Sequence, residues 1–214
     1  ERSRSQRSRH RPSRAATEML ALVVVAHPST DSYCRALAAR AHAGLQSAGH
    51  EVVVLDLYDL GFRVAMTPDE RHAYHGDSPI LDPTVAEHAA LVQRAEAIVF
   101  VYPTWWSGLP AMLKGWLERV LVPGVGFVLD ERTNKVRPGL GQMRRLVGIS
   151  TYGSPKWYVR LVNDNGRRIV TRALRMSCGL RVRTAWLGLY AIDTSTETQR
   201  SEFLARVERQ MAEL

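Results

Sequence analysis

Two cysteines, Cys34 and Cys178, are all that the 214 residues contain. A pair so far apart in sequence makes neither a disulfide framework nor a metal site, and no base neighbours either thiol. Reduced, buried thiols in a cytoplasmic protein are the expectation. No apolar run approaches the ~20 residues that a membrane-crossing helix needs. The short run at residues 19–26 follows basic sequence, as in a signal peptide, but His27-Pro28 stands where small cleavage-site residues belong. Neither G-x-G-x-x-G nor G-x-x-x-x-G-K-[ST] occurs, so a Rossmann dinucleotide site and a P-loop are unsupported. His72, His75 and His88 share no ligand spacing with other donors, so surface or loop positions are expected and a metal is not.

What is present suits a soluble globular domain. Hydrophobic residues make up 45% and charged residues 23%, over a length sufficient for one sizeable core. The net charge is +8, of which residues 1–14 hold +5 through six Arg and one Glu, leaving +3 for the other 200 residues. Residues 1–18 therefore read as a disordered Arg/Ser-rich extension, with Met19 as the expected functional start and 19–214 as the folded domain. Such an extension can neutralise phosphates. The folded part shows no basic aromatic stripe, so nucleic-acid binding is not expected.

Residues 20–26 form a continuous Val-rich run, the pattern of a parallel strand buried on both faces. Similar runs predict strands at 52–57, 97–102, 145–150 and 182–190. Helices are expected at 32–47, closed by Ala48-Gly49, and at 84–94, 157–177 and 196–214. One more helix presents Leu109, Met112, Leu113, Trp116, Leu117, Val120 and Leu121 as a core-facing stripe of helical period. Residues 58–82 read as irregular, and 123–137 as a Gly/Pro-bounded excursion with a hairpin around 127–129. Alternating strands and helices predict an α/β fold, a doubly wound parallel sheet with right-handed crossovers.

In such a sheet, ligands lie beyond the carboxyl ends of the strands. After the first strand, His27-Pro28-Ser29-Thr30-Asp31-Ser32 offers hydroxyls and backbone N–H groups at a helix N-terminus, which suits a phosphate or simply caps the helix. After the third, Pro103-Thr104-Trp105-Trp106 offers a rigid aromatic surface to a flat conjugated ligand, or packs as core. After the fourth, Thr151-Tyr152-Gly153-Ser154-Pro155 lets backbone amides approach a ligand edge. One phosphate-friendly loop and two flat-ligand loops together are what a flavin nucleotide requires.

The run Gly108-Leu109-Pro110-Ala111-Met112-Leu113-Lys114-Gly115-Trp116-Leu117-Glu118-Arg119-Val120 resembles, nearly residue for residue, the NAD(P)H:quinone oxidoreductase (DT-diaphorase-like) family of flavodoxin-fold flavoproteins. Ala26-His27 with Ser32-Tyr33, and Thr151 with Gly153-Ser154, support the same resemblance, which extends over most of the chain from Met19. It implies a five-stranded flavodoxin-like sheet in the order 2-1-3-4-5 with helices on both faces. It also implies that His27, Ser32 and Tyr33 hold the flavin phosphate or pyrophosphate. Pro103, Thr104, Trp105 and Trp106 would cradle the ring system, and Thr151, Tyr152 and Gly153 its pyrimidine edge. Tyr158 falls where the family has a ring-contacting tyrosine, and Asp164 takes the position nearest the family's histidine, because no His follows Tyr158. Trp106, Phe127, Leu129 and Tyr158 would form the substrate pocket, with Phe127 and Leu129 lent by the second subunit of a homodimer. Three departures stand out: Tyr152 replaces a glycine, Asp31 a neutral hydroxyl residue, and Leu129 a tyrosine.

The activity implied is a cytoplasmic, flavin-dependent NAD(P)H oxidoreductase that passes hydride through flavin N5 to a quinone-like acceptor by a ping-pong mechanism. The His27-to-Ser32 spacing resembles that of the family's FAD-using branch, which implies FAD, with FMN as the alternative. Azo, nitro or biosynthetic tailoring substrates are the alternative acceptors. A non-catalytic flavodoxin-like electron carrier or regulatory subunit is the alternative class. Arg144-Arg145 and Arg167-Arg168 read as solvated charge pairs, and Lys114 and Glu118 as an i,i+4 surface pair.

Overall fold

A computed structural model describes residues 18–130, 132–133 and 135–214. The expected extension over residues 1–18 lies, but for Glu18, outside the described residues. Strands β1 (Leu20–Val25), β2 (Glu51–Asp56), β3 (Ala97–Pro103), β6 (Arg145–Thr151) and β7 (Arg183–Leu189) form one parallel sheet in the order β2-β1-β3-β6-β7. A two-stranded antiparallel hairpin, β4 (Phe127–Leu129) and β5 (Val136–Pro138), stands apart from it. The expected order 2-1-3-4-5 is therefore observed, the fourth and fifth sheet strands being β6 and β7.

The interior strands are buried because both of their faces are covered. All seven residues of β3 are buried, and five of the six in β1. Side chains alternate between faces with the period of two that a strand imposes. Leu22, Val24 and Phe100 point into the core shared with α3 (Pro83–Arg94) and α4 (Ala111–Val120). Ala21, Val23 and Val101 point into the opposite core, under α1 (Tyr33–Ser47) and α8 (Glu197–Ala212). The predicted stripe of α4 holds: Leu113, Trp116, Leu117 and Val120 are buried, and Leu109, Met112 and Leu121 pack against them. Gly115 is required on that helix, since a Cβ there would lie 2.4 Å from the carbonyl oxygen of Val64.

Residues 58–82 are more ordered than their punctuation suggests. Thr67 caps a short helix, α2 (Pro68–Ala73), in a complete capping box with Glu70. Glu70 also anchors a buried ion network. The Arg119 side chain, 1% exposed, hydrogen-bonds Glu70, Asp82 (2.7 Å) and the carbonyl of Arg63. Arg63 in turn pairs with Glu70 at 3.0 Å and Asp82 at 3.2 Å. Burial pushes Glu70 up, but the hydrogen bonds from Arg119 and Arg63 prevail and hold it at about 2. Arg119 likewise holds Asp82 at about 2.

Two expectations need correction. The helix expected over 157–177 is broken. Its first segment, α5 (Lys156–Leu161), ends in a turn where Asn163 (φ 78°) and Asp164 (φ 42°) are left-handed. It resumes as α6 (Asn165–Arg168), one π-helical turn at Ile169–Ala173, and α7 (Leu174–Cys178). His88 is also not a surface or loop residue. It is buried, stacks on Phe62 with ring centroids 5.4 Å apart, and accepts a 3.1 Å hydrogen bond from Trp116 Nε1. Desolvation lowers its pKa, which favours the neutral acceptor. Cys34 and Cys178 are buried thiols, pushed by burial to about 11 and about 12.

Candidate active-site cleft

A cleft of about 740 Å³ opens beyond the carboxyl ends of β3 and β6. It brings together Pro103, Thr104, Trp105, Trp106, Thr151, Tyr152, Gly153, Tyr158 and Asp164, nine of the residues singled out in sequence. Two interactions fix its floor. The Thr104 N–H donates to the Thr151 carbonyl at 2.8 Å, and the hydroxyls of Thr104 and Ser150 lie 2.8 Å apart. The ends of β3 and β6 are thereby locked side by side beneath the opening.

The wall after β3 is a tight turn. Gly108 N–H donates to the Trp105 carbonyl at 3.0 Å, and the two central residues, Trp106 (φ 49°) and Ser107 (φ 56°), are both left-handed. Two successive positive φ values define a type I′ turn, which glycine and asparagine favour and tryptophan does not. Left-handed backbone costs a non-glycine residue of order 1–2 kcal/mol. Trp106 recovers nothing by packing, since its side chain is wholly exposed, and Trp105 is 44% exposed. Packing therefore does not explain Trp106, which with the half-exposed Trp105 forms a solvent-facing aromatic wall.

The wall after β6 is built from backbone and from a buried cluster. Among the described residues, no protein acceptor engages the N–H groups of Gly153 and Ser154. A Cβ at Gly153 would meet Asp193 Oδ2 at 2.9 Å, the tip of an exposed side chain that can move aside. Tyr152 does not narrow the opening. Its ring is buried and stacks on Tyr190 at 4.5 Å, and its hydroxyl donates to Asp164 Oδ1 at 2.9 Å. Asp164 is 8% exposed and has no cation within salt-bridge distance among the described residues. Burial first, then the Asp164 charge, drives the Tyr152 and Tyr102 pKa values far up and raises that of Tyr190. The Tyr102 hydroxyl is buried with no partner. Tyr158, expected beside Asp164, is instead 42% exposed at the opening and makes no hydrogen bond to it among the described residues.

The remaining expected residues lie outside the cleft. His27 sits next to it, its ring 6.0 Å from that of Trp105. Ser32 caps α1, its hydroxyl accepting from the Arg35 N–H at 3.3 Å, which leaves the amides of Tyr33 and Cys34 as the open donors of the first turn. The Tyr33 hydroxyl is unavailable to a phosphate. It donates to the Arg200 carbonyl at 2.7 Å, and burial raises its pKa to about 12. Asp31 remains a carboxylate in this loop, its pKa lowered by the Ser29 hydroxyl. Phe127 and Leu129 lie on the β4–β5 hairpin and do not line the cleft of their own chain. Among the described residues, no helix is long and apolar enough to cross a membrane and no group of three or more His, Cys, Asp or Glu is placed to hold a metal.

Sequence reasoning missed Ser107, Val159, Val162, Ile192 and Asp193 as lining residues. Ile192 and Asp193 follow β7, and the signal available for them was that a third carboxyl-end loop had to border the other two.

Residues 19–213 match the family described as flavodoxin-like fold. The chain is 31% identical over 153 residues to NAD(P)H dehydrogenase [quinone] 1 of Rattus norvegicus, covering 64% of this chain but only 55% of that relative. The namesake from Cavia porcellus is 29% identical over 205 residues, 86% of this chain and 73% of the relative. The solved NAD(P)H:quinone oxidoreductase from Methanothermobacter marburgensis superposes with a TM-score of 0.73 at 26% identity, covering 91% of this chain and 96% of its own.

Proposed function

Because the chain belongs to the flavodoxin-like fold family, we propose that its cleft holds a flavin and that it is an NAD(P)H oxidoreductase acting on a quinone-like small molecule. The observation that carries this reading is the Trp105-Trp106 turn: strained backbone presenting exposed aromatic surface at the carboxyl end of the sheet. When bound, the flavin supplies the redox step, a hydride accepted from the nicotinamide and passed in ping-pong order to the acceptor. FAD is the expected form.

Trp105 and Trp106, with Pro103 and Thr104 at their base, provide the stacking surface. Thr151 and the amides of Gly153 and Ser154 provide donors to the polar edge, where fixed dipoles stabilise developing negative charge. His27, the Ser32 cap and the Tyr33 amide face the phosphate end, and the Tyr33 hydroxyl takes no part. Tyr158 contacts ligands at the opening. Asp164, held by the Tyr152 hydroxyl, is the carboxylate available to accept or return a proton within the cleft.

The names of the rat relative and the archaeal structure support a nicotinamide donor and a quinone-like acceptor. The hairpin exposes Val128, Leu129 and Val136. A homodimer would bury them and bring Phe127 and Leu129 to the cleft of a second copy.

The test is to release the cofactor from purified protein, identify it by chromatography, and titrate the holoprotein anaerobically with NADH and NADPH. Bound FAD bleached by one or both is expected. A cofactor-free protein that takes up neither FAD nor FMN, or a flavin that neither nicotinamide bleaches, overturns the reading.

A further inference from the structure

The amino-terminal end of the sheet, opposite the cleft, gathers charge of one sign. Arg145 opens β6, Arg183 opens β7, and the two are direct partners in the parallel register. Like charges placed side by side on neighbouring strands are destabilising. Arg94, Arg144 and Arg181 stand around them, so that five guanidinium groups line one open concavity of about 810 Å³. Among the described residues a single side-chain carboxylate lines it too, Glu96, whose Oε2 is 2.7 Å from Arg144 Nε.

The fold does not need these side chains to hold the strands together. The N–H groups of Arg144 and Arg145 donate to the Glu96 carbonyl at 2.7 and 3.1 Å, and that of Arg183 donates to the Arg144 carbonyl at 3.0 Å. Among the described residues, the Arg145 guanidinium reaches main-chain oxygens alone, those of Arg144 and of the last residue, Leu214, each at 3.3 Å. Five arginines against one glutamate leave four positive charges in one concavity. That exceeds the +3 carried by the whole chain beyond residue 14. Desolvation first, then the charges of Arg183 and Arg144, depress the Arg145 pKa.

The shape narrows the occupant. A concavity, rather than an extended stripe, fits a compact anion. Among the described residues no aromatic side chain lines it, so these offer nucleobases no stacking surface. Arginines from two strand starts, two loops and the last turn of α3 suit the many oxygens of a phosphate chain, which guanidinium groups bind through charge-assisted, often bidentate hydrogen bonds.

We propose that this arginine-lined concavity is a binding site for a compact polyphosphate anion, remote from the cleft. The site does not depend on the flavin reading, and its test does not measure redox activity.

The probe is sodium tripolyphosphate, titrated calorimetrically into the full-length protein at low ionic strength. Saturable binding is expected, at least about tenfold tighter than that of orthophosphate, because one phosphate engages fewer guanidinium groups. The Arg181→Gln/Arg183→Gln double variant changes two exposed side chains and should not lower the melting temperature of the unliganded protein. It should weaken tripolyphosphate binding at least about tenfold, since each lost charged hydrogen bond is worth about 1.5–3 kcal/mol. Arg71→Gln/Arg209→Gln removes the same charge from other exposed positions and should stay within about twofold of wild type. The proposal is overturned by unchanged affinity in the first variant, by an equal loss in the second, or by a single-stranded oligonucleotide binding this face more tightly than tripolyphosphate.

Discussion

Arg119 and Asp164 are both buried in this fold, and their surroundings could hardly differ more. Arg119 lies under α2 and α3 with its guanidinium matched by Glu70, Asp82 and a backbone carbonyl. Asp164 lies under the cleft with one phenol for company and no cation within reach among the described residues. Leaving a buried charge with fewer partners than it can use costs stability. The first arrangement spreads that cost over a closed network on regular helices. The second adds left-handed backbone at Asn163 and Asp164 and an unpartnered Tyr102 hydroxyl close by. Among the described residues, left-handed non-glycine backbone (Trp106, Ser107, Asn163, Asp164 and Ala191) collects beyond the carboxyl ends of the strands, and none lies around Arg119.

The largest effect should come from the satisfied charge. Arg119→Met strands Glu70 and Asp82 in partial burial, and removing one partner of a buried ion network costs about 3–5 kcal/mol. For a domain of this size that lowers Tm by roughly 10 °C, read by calorimetry or circular dichroism. Cleft chemistry should be untouched at temperatures where the variant is folded. A variant as stable as wild type would show that the network adds no more than its own desolvation cost.

Acid should probe the same network. Glu70 and Asp82 titrate near about 2 in the folded chain, against ordinary values of 4.5 and 3.8. Their folded values are depressed, so the stability they lend is complete above about 4.5 and drains away as pH falls toward about 2. Tm measured between those limits should drop with pH in wild type and drop less in Arg119→Met. An equal slope in both would place the acid-sensitive groups elsewhere.

A smaller effect on stability, and a larger one on activity, is expected at the other charge. Tyr152→Phe removes the one hydrogen bond that the Asp164 carboxylate accepts among the described residues, at about 1–3 kcal/mol. Asp164→Asn keeps the shape and the hydrogen bond and should cost less than about 1 kcal/mol. Both should shift the pH profile of nicotinamide-driven flavin reduction while flavin stays bound. If Asp164→Asn instead unfolds the protein as Arg119→Met does and leaves the pH profile unmoved, the carboxylate is structural.

How well each centre can be read from sequence follows from how local its causes are. The strands and the α4 stripe from Leu109 to Leu121 depend on periodicity within one segment, and they stand where periodicity puts them. Thr67-Pro68-Asp69-Glu70 carries the α2 capping box in plain view, although residues 58–82 read as irregular. The pairing of Arg119 with Asp82 joins two elements 37 positions apart, and no spacing rule announces it. Asp164 was singled out by alignment with a family position. Its true partner, Tyr152, emerges only because the chain turns left-handed at Asn163 inside what periodicity presents as one helix.

The smallest effect on stability is expected at the residue most exposed to the proposed ligand. Trp106→Gly removes a wholly exposed side chain, so almost no buried apolar area is lost with it. The substitution relieves a left-handed backbone worth about 1–2 kcal/mol. It also adds the chain entropy that glycine loses on folding, about 0.5–1 kcal/mol. The two nearly cancel, and Tm should move by no more than about 2 °C. Flavin affinity, measured by fluorescence titration of the apoprotein, should nevertheless fall several-fold, because an aromatic contact is worth about 0.5–1.5 kcal/mol beyond its area. The Arg119 site offers no such separation, since every group there is bound up in the fold. A Trp106→Gly variant that binds flavin as tightly as wild type would leave the strained, exposed tryptophan unexplained, and would move the flat-ligand surface to Trp105 alone.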